Sequence, residues 1–284
     1  MATIVPRVGV PGSPTIETPD PVDLPLARRL QALGFRSWPA ATTTFDGTWA
    51  IRLTAGAASK RQNSVNPLDP GDTARLDERI DAAEARFRSF GRTPTFSISP
   101  LAPPALDERL AARSWARRDE SIVMLAPLDT MDLRAGLDMV PLADAGRWLD
   151  AEVALGAFSN TDRPGIAETL AAIRPHAQGA LPVGTRDGPV QLYVAEDDSG
   201  APLAALLAVR FGLLVGLFQI VVDPARRREG HARRLIASAL TNAAREGAVQ
   251  AWLQVERSNV AAVALYESLG LRTAYGYHYR QPAE

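Results

Sequence analysis

Val222-Asp-Pro-Ala-Arg-Arg-Arg-Glu-Gly-His-Ala232 is the stretch on which the reading of this chain turns. The apolar run before it, Leu214 to Val222, reads as a buried strand. After it, Glu229 to Glu246 reads as a long helix, with Leu235, Ile236, Ala239, Leu240 and Ala243 recurring on one face. A strand that enters a helix through small and basic residues points backbone N–H groups at one spot, at the positive end of the helix dipole. That spot suits a diphosphate. Gly230 lets a ligand come close to the backbone, and Ala232 is small enough to do the same. Arg226, Arg227, Arg228 and Arg233 supply charge, and some of them face water. Basic side chains in a first helical turn oppose the dipole by about 0.3–1 kcal/mol each, a cost that a bound anion offsets.

Downstream, Gln250 to Val255 reads as a strand, Val260 to Leu269 as a helix stopped by Gly270, and Arg272 to Arg280 as a closing strand. Asn259 stands where strand gives way to helix, which is an N-cap position. Tyr266 lies close to two helical turns further on, so both can share one face. A buried tyrosine there is equally a core aromatic. Upstream, Gln191 to Ala195 and Leu203 to Phe211 read as strands, joined by turns at Asp198-Ser199-Gly200 and Gly212. Asp138 to Leu142 reads as a further strand, and Ala143 to Phe158 and Gly165 to Ile173 as helices.

The first half repeats this order of elements. Leu24 to Leu33 has helical spacing and stops at Gly34. Phe45 to Leu53 reads as a strand with a turn at Asp46-Gly47, and Arg61 to Val65 as a second strand. Asp72 or Thr73 is the expected cap of a helix carrying Leu76, Ile80, Ala83, Phe87 and Phe90 on one face. Thr95 to Ile98, Ala105 to Ala112 and Ser121 to Leu125 follow as strand, helix and strand. The pattern predicts an α+β fold built from two similar units, without a residue-level repeat. The expected division is a flexible leader over 1–24, a first unit over 25–130 and a second over 131–284.

Composition narrows the function. The 284 residues carry 31 basic and 32 acidic side chains, for a net charge of -1. A nucleic-acid binder would show a basic excess, so none is expected as a partner. Lys60 is the sole lysine, a bias that a GC-rich genome explains. With no cysteine, thiolate nucleophiles and disulfides are excluded. His176, His231 and His278 lack ligand spacing, and no metal is expected. The leader has no basic or apolar region of a signal peptide, and no run reaches the length of a bilayer span. The expected compartment is the cytoplasm.

In these motifs the second unit resembles the GCN5-related N-acetyltransferase (GNAT) family. Its phosphate loop, Gln/Arg-x-x-Gly-x-Gly/Ala, is matched by Arg227, Gly230 and Ala232. Its later segment, Asn-x-x-Ala-x-x-Leu-Tyr-x-x-x-Gly-Phe, is matched by Asn259, Ala262, Leu265, Tyr266 and Gly270, with Leu271 in place of Phe. The resemblance implies a GNAT fold, a mixed, mostly antiparallel sheet flanked by helices. It implies an acetyl-CoA-dependent N-acetyltransferase acting on a primary amine of a small molecule or peptide. In such enzymes the strand before the loop splays from its neighbour. Backbone groups of Ile220, Val221 and Val222 would then meet pantetheine and the acetyl carbonyl. Amides from Arg228 through Glu229, Gly230, His231, Ala232 and Arg233 would hold the pyrophosphate. Asn259 would contact the pantetheine arm, beside Ala262, and Tyr266 would protonate the leaving thiolate.

The general base is left open. Family members place an acid on the strand before the loop, where this chain has Gln219. Glu256 is one alternative and His231, expected to face solvent, another; a neutral amine needs neither. A non-catalytic acyl-CoA binding module is the competing function. In the first unit, Asn66-Pro-Leu-Asp-Pro-Gly-Asp-Thr73 stands where a phosphate loop would fall. Its prolines remove amides and its aspartates repel phosphate, so this unit is not expected to bind CoA. Trp49-x-x-Arg52 and Arg61-x-Asn63-Ser64-Val65 resemble the first half of bacterial tandem GNAT proteins with one degenerate domain. That half is expected to be structural, or else to wall the acceptor site through Arg52, Arg61, Asn63 and Ser64. Trp148, Phe158, Asn160 and Asp162 are the acceptor-side candidates of the second unit. The acceptor itself is unidentified, and a monomer or homodimer is expected.

Overall fold

The last strand of each half of this chain lies in the other half's part of the sheet. In the computed structural model, residues 22–56, 59–173 and 190–283 are described. The first half contributes β1 (Thr42–Asp46), β2 (Trp49–Leu53), β3 (Ser64–Pro67), β4 (Phe96–Ile98) and β5 (Trp115–Pro127). The second contributes β6 (Val190–Glu196), β7 (Pro202–Phe211), β8 (Leu214–Val222), β9 (Gln250–Glu256) and β10 (Arg272–Pro282). They form one ten-stranded sheet in the order β1-β2-β3-β4-β10-β5-β9-β8-β7-β6. Thus β10 runs between β4 and β5, while β5 sits beside β9. Only β3–β4 and β8–β9 pair in parallel; each such pair is bridged by a long helix, as parallel connections require.

The helices are α1 (Leu24–Ser37), α2 (Leu76–Ser89), α3 (Pro104–Ala112), α4 (Ala145–Ala154), α5 (Arg163–Ala172), α6 (His231–Arg245) and α7 (Val260–Leu269). The stripe Leu235, Ile236, Ala239, Leu240 and Ala243 of α6 is buried against the second half of the sheet. Leu76, Ile80, Ala83 and Phe87 of α2 do the same in the first half. A third apolar cluster joins the halves. It packs Leu30 and Leu33 of α1 and Trp38 with Trp148, Phe218 and Trp252. Trp38 stacks on Phe218 at 6.2 Å, and Phe218 meets Trp252 edge-on at 5.4 Å. Gly216 is required beneath them, because a Cβ there would come within 2.7 Å of Phe218 and 2.8 Å of Trp252. No helix of the described residues is long and apolar enough to cross a membrane.

Several sequence expectations are corrected. Asp138 to Leu142 is not a strand; only Leu142 bridges to Leu192, and Val140 is 78% exposed. α1 passes through Gly34 and ends at Ser37. α2 is capped by neither Asp72 nor Thr73: Asp72 instead takes hydrogen bonds from Thr48 and Arg79, and Arg75, at φ 50°, precedes the helix. Phe90 lies past the end of α2 and is 46% exposed. The helix expected over 143–158 spans only Ala145–Ala154, because the Asp144 carboxylate accepts from the Gly146 and Arg147 amides and fixes the start. Arg61 to Asn63 form a turn before β3. The expected leader lies outside the described residues up to residue 21, as does His176.

Candidate active site

The strand-to-helix junction after β8 forms as its residues dictate. Asp223 accepts from the Ala225 amide and starts a single 3-10 turn, Pro224–Arg226. The chain then reverses through two left-handed residues, Arg228 at φ 71° and Gly230 at φ 82°. Gly230 is the one suited to that conformation; a side chain there would be strained. α6 begins at His231 with no side-chain cap, and its first internal bond is Arg234 N to Gly230 O at 3.0 Å. The amides of His231, Ala232 and Arg233 therefore have no acceptor within the helix. No acidic residue occupies the first turn. Arg227 and Arg228 are exposed and pair with no carboxylate among the described residues. The corresponding helix of the first half differs: α2 carries Asp77 and Glu78 in its first turn, which already balance its dipole.

Two departures from the sequence reading occur in this loop. His231 does not face solvent; it is 9% exposed, with Nε2 3.2 Å from Glu229 and Nδ1 accepting from Arg234 at 3.0 Å. With both ring nitrogens occupied, it is poorly placed to act as a base. Glu229 turns its carboxylate away from the groove onto Arg226, at 2.8–3.0 Å. Arg226 first, and His231 second, hold that carboxyl down at about 2. The Glu229 carboxylate is thus kept off the groove lining and restrains the loop. Arg233 is partly engaged by Ser268.

β8 and β9 face each other from Leu214/Gln250 only as far as Leu217/Leu253. Beyond that point they diverge. The cause lies in β8, where Gln219 adopts φ 48° and the register with β7 slips between Phe218 and Val221. This is a bulge, which bends a strand and releases it from a neighbour. The opened space joins a cavity of about 590 Å3 lined by Ile220, Val221, Val222, the Arg227–Arg233 loop, Ala262 and Tyr266. All the sequence-derived cofactor residues line it except Glu229. Asn259 caps α7 through Oδ1, accepting from the Ala262 amide at 3.2 Å, and lines the groove. Tyr266 stands between this cavity and the cleft under the splay, of about 360 Å3. Burial pushes its phenol up to about 12.

The cleft opens on its far side into a chamber of about 430 Å3. Gln219, Val255 and Glu256 belong to both spaces, as do Arg61 and Ala157. Glu256 is exposed there and forms no ion pair with a described residue. Phe158 and Asp162 also line the chamber; Asn160 does not, and Trp148 is wholly buried, donating to the Leu206 carbonyl at 3.2 Å. From the first half come Trp38, Lys60, Arg61 and Asp119, and from β10 Tyr277 and Tyr279. Of the first-half candidates, only Arg61 reaches this space. Arg52, Asn63 and Ser64 are buried. Arg52 donates to the carbonyls of Arg61 and, at 2.6 Å, Trp38, and burial lowers it to about 10. Asn63 accepts from the Thr54 amide at 2.9 Å. Lys60, Asp119, Tyr277 and Tyr279 carry no sequence signal, since strand pairing across the halves brings them here.

A sequence model of the family described as "Probable histone acetyltransferase Rv0428c C-terminal" matches residues 27–280. The uncharacterized N-acetyltransferase YobR of Bacillus subtilis is 26% identical over 261 residues, 89% of this chain and 97% of that protein. Two solved structures share the fold. A GCN5-related N-acetyltransferase from Kribbella flavida superposes with a TM-score of 0.60 at 16% identity, over 91% of this chain and 96% of its own. A tandem GNAT protein from the clavulanic acid biosynthesis pathway gives 0.55 at 18% identity, over 90% of this chain and 89% of its own.

Proposed function

Since the chain belongs to the family described as Probable histone acetyltransferase Rv0428c C-terminal, a branch of the GNAT N-acetyltransferases, we propose that it moves an acetyl group from acetyl-CoA directly to a primary amine of a small molecule or peptide. The observation that carries the reading is the uncapped amino end of α6, which opens into a groove continuous with the β8–β9 cleft. Residues 131–284 supply the CoA site; residues 25–130 supply one wall of the acceptor side.

Acetyl-CoA brings an activated acyl group, a thioester. The amides of His231, Ala232 and Arg233, with Arg227 and Arg228, hold the pyrophosphate. Asn259 donates through Nδ2 to the pantetheine arm. The free main-chain edge of β8 beyond Leu217 receives pantetheine and polarises the acyl carbonyl as negative charge gathers on its oxygen. In the transfer, the amine nitrogen bonds to the acyl carbon and the carbon–sulfur bond breaks. Glu256, directly or through water, takes the proton that the amine must shed. Tyr266 donates its hydroxyl to the departing sulfur. A phenol held near 12 would not hand over its proton outright to a thiol of ordinary acidity, so hydrogen bonding precedes transfer, and transfer completes as solvent resupplies the proton. The products are an amide and the free thiol.

Calorimetry on the whole chain and on Gly230→Asp tests this. One acetyl-CoA site per chain is expected, lost in the variant, where a carboxylate meets the pyrophosphate. Two sites would overturn the assignment of the first half, and none would overturn the function.

A further inference from the structure

The acceptor-side chamber holds charges of both signs, and most of them are already engaged. Lys60 is paired with Asp119. Asp162 accepts from the amide and hydroxyl of Ser159, at 3.2 and 2.6 Å. Arg61 and Glu256 are different. Neither forms an ion pair with a described residue, and both line the chamber and the cleft that leads to the acyl end. They therefore face one continuous space from opposite halves of the chain.

Arg61 is also held from behind. The buried guanidinium of Arg52 donates to its carbonyl and to that of Trp38, which fixes the two wall segments together. Arg52 meets carbonyl oxygens there and stacks over Phe35, with no carboxylate partner among the described residues. The wall around Arg61 is thus positive, and no acid among the described residues pairs with it. Across the space, Glu256 stands at the end of β9, where an attacking amine must approach.

A cavity with one uncompensated cation and one uncompensated anion is complementary to a zwitterion. We infer that the acceptor is a small amine that also carries a carboxylate, an amino-acid-like molecule, with its carboxylate bound by Arg61 and its amine presented on the Glu256 side. A guanidinium takes a carboxylate with two parallel hydrogen bonds, which orients as well as attracts. A polyamine would face Arg61 with like charge. A neutral amine would leave Arg61 without a partner. The inference rests on the acetyl-transfer reading above and names the substrate class of that site.

The test compares free amino acids with their carboxamides as acceptors, at saturating acetyl-CoA. The carboxamide keeps the shape and amine but removes the negative charge. Wild type should favour the free acid by about ten- to a hundredfold in kcat/KM, the size expected for a charged hydrogen-bonded contact. Arg61→Gln should lose that preference, chiefly through KM, and Arg61→Lys should restore part of it. Unchanged melting temperatures would show that the variants fold. A preference that survives Arg61→Gln would overturn the inference. So would turnover of carboxamides or diamines with no turnover of any amino acid. Acetyl-CoA binding, measured in parallel, separates the two levels: if it is absent the function reading fails, and if it is present without the carboxylate preference only this inference fails.

Discussion

Leu217 and Leu253 are the last residues to face each other across the β8–β9 ladder, and Gln219, two residues on, is the left-handed residue that sends β8 away. The cleft beyond Leu217 is therefore opened by one backbone conformation. An L-residue in that region costs roughly 1–2 kcal/mol. Gln219→Gly should remove that strain while loosening the cleft edge. Thermal stability should hold or rise slightly, and KM for acetyl-CoA should rise several-fold. A drop of several degrees in Tm would show that the side chain, not the backbone, maintains the bulge.

Tyr266→Phe keeps the ring that closes the groove and deletes the donor to sulfur. We expect kcat to fall about a hundredfold, with KM for acetyl-CoA changed by less than about threefold. The pH profile gives a second check. The phenol, pushed up to about 12, stays protonated until pH approaches that value. Rates should show no alkaline decline due to this group below about pH 11. An alkaline limb near pH 9 that vanishes in Tyr266→Phe would contradict the assignment.

Glu152 of α4 is fully buried, and neither carboxylate oxygen has a hydrogen-bond partner among the described residues. Burial raises its pKa well above the ordinary carboxylate range. The folded state thus holds the proton more tightly than the unfolded chain. That contribution is complete below the unfolded pKa and is lost as pH rises toward the folded one. Glu152→Gln should match wild type near pH 4 and melt progressively higher than it as pH rises above 5. Thermal melts across that range would decide the matter; a constant difference would mean that the carboxyl is not titrating in place.

Deleting residues 272–284 removes the strand that separates β4 from β5. Both halves should fail, not only the second, and the product should be insoluble. The halves 25–130 and 131–284 expressed apart should behave likewise, and co-expression should restore an acetyl-CoA-binding complex. A soluble, folded 131–284 would refute the dependence.

Local structure was legible and long-range pairing was not. The α6 stripe, the loop around Gly230 and the Asn259 cap depend on neighbours close in sequence, and each was read at its true position. The exposure of Val140 and the burial of His231 depend on what lies opposite, which spacing does not encode. The chamber beyond the cleft shows the same limit. Arg61 stood out as one of a polar cluster, but its separation from Arg52, Asn63 and Ser64 came only with the sheet. Tyr277 and Tyr279 reach the chamber because β10 lies against β5, a pairing that joins residues more than 150 positions apart, such as Tyr277 and Ser121.

The exchange of β5 and β10 has an evolutionary side. The first half cannot be discarded, because its partner's sheet is completed by it. On the proposed assignment of transfer chemistry to the stretch after β8, the loops of the first half are released from cofactor duty and can drift, and substitutions around Lys60 and Arg61 would retune which molecule is modified. The two traits are written in separate parts of one gene and cannot be parted from each other.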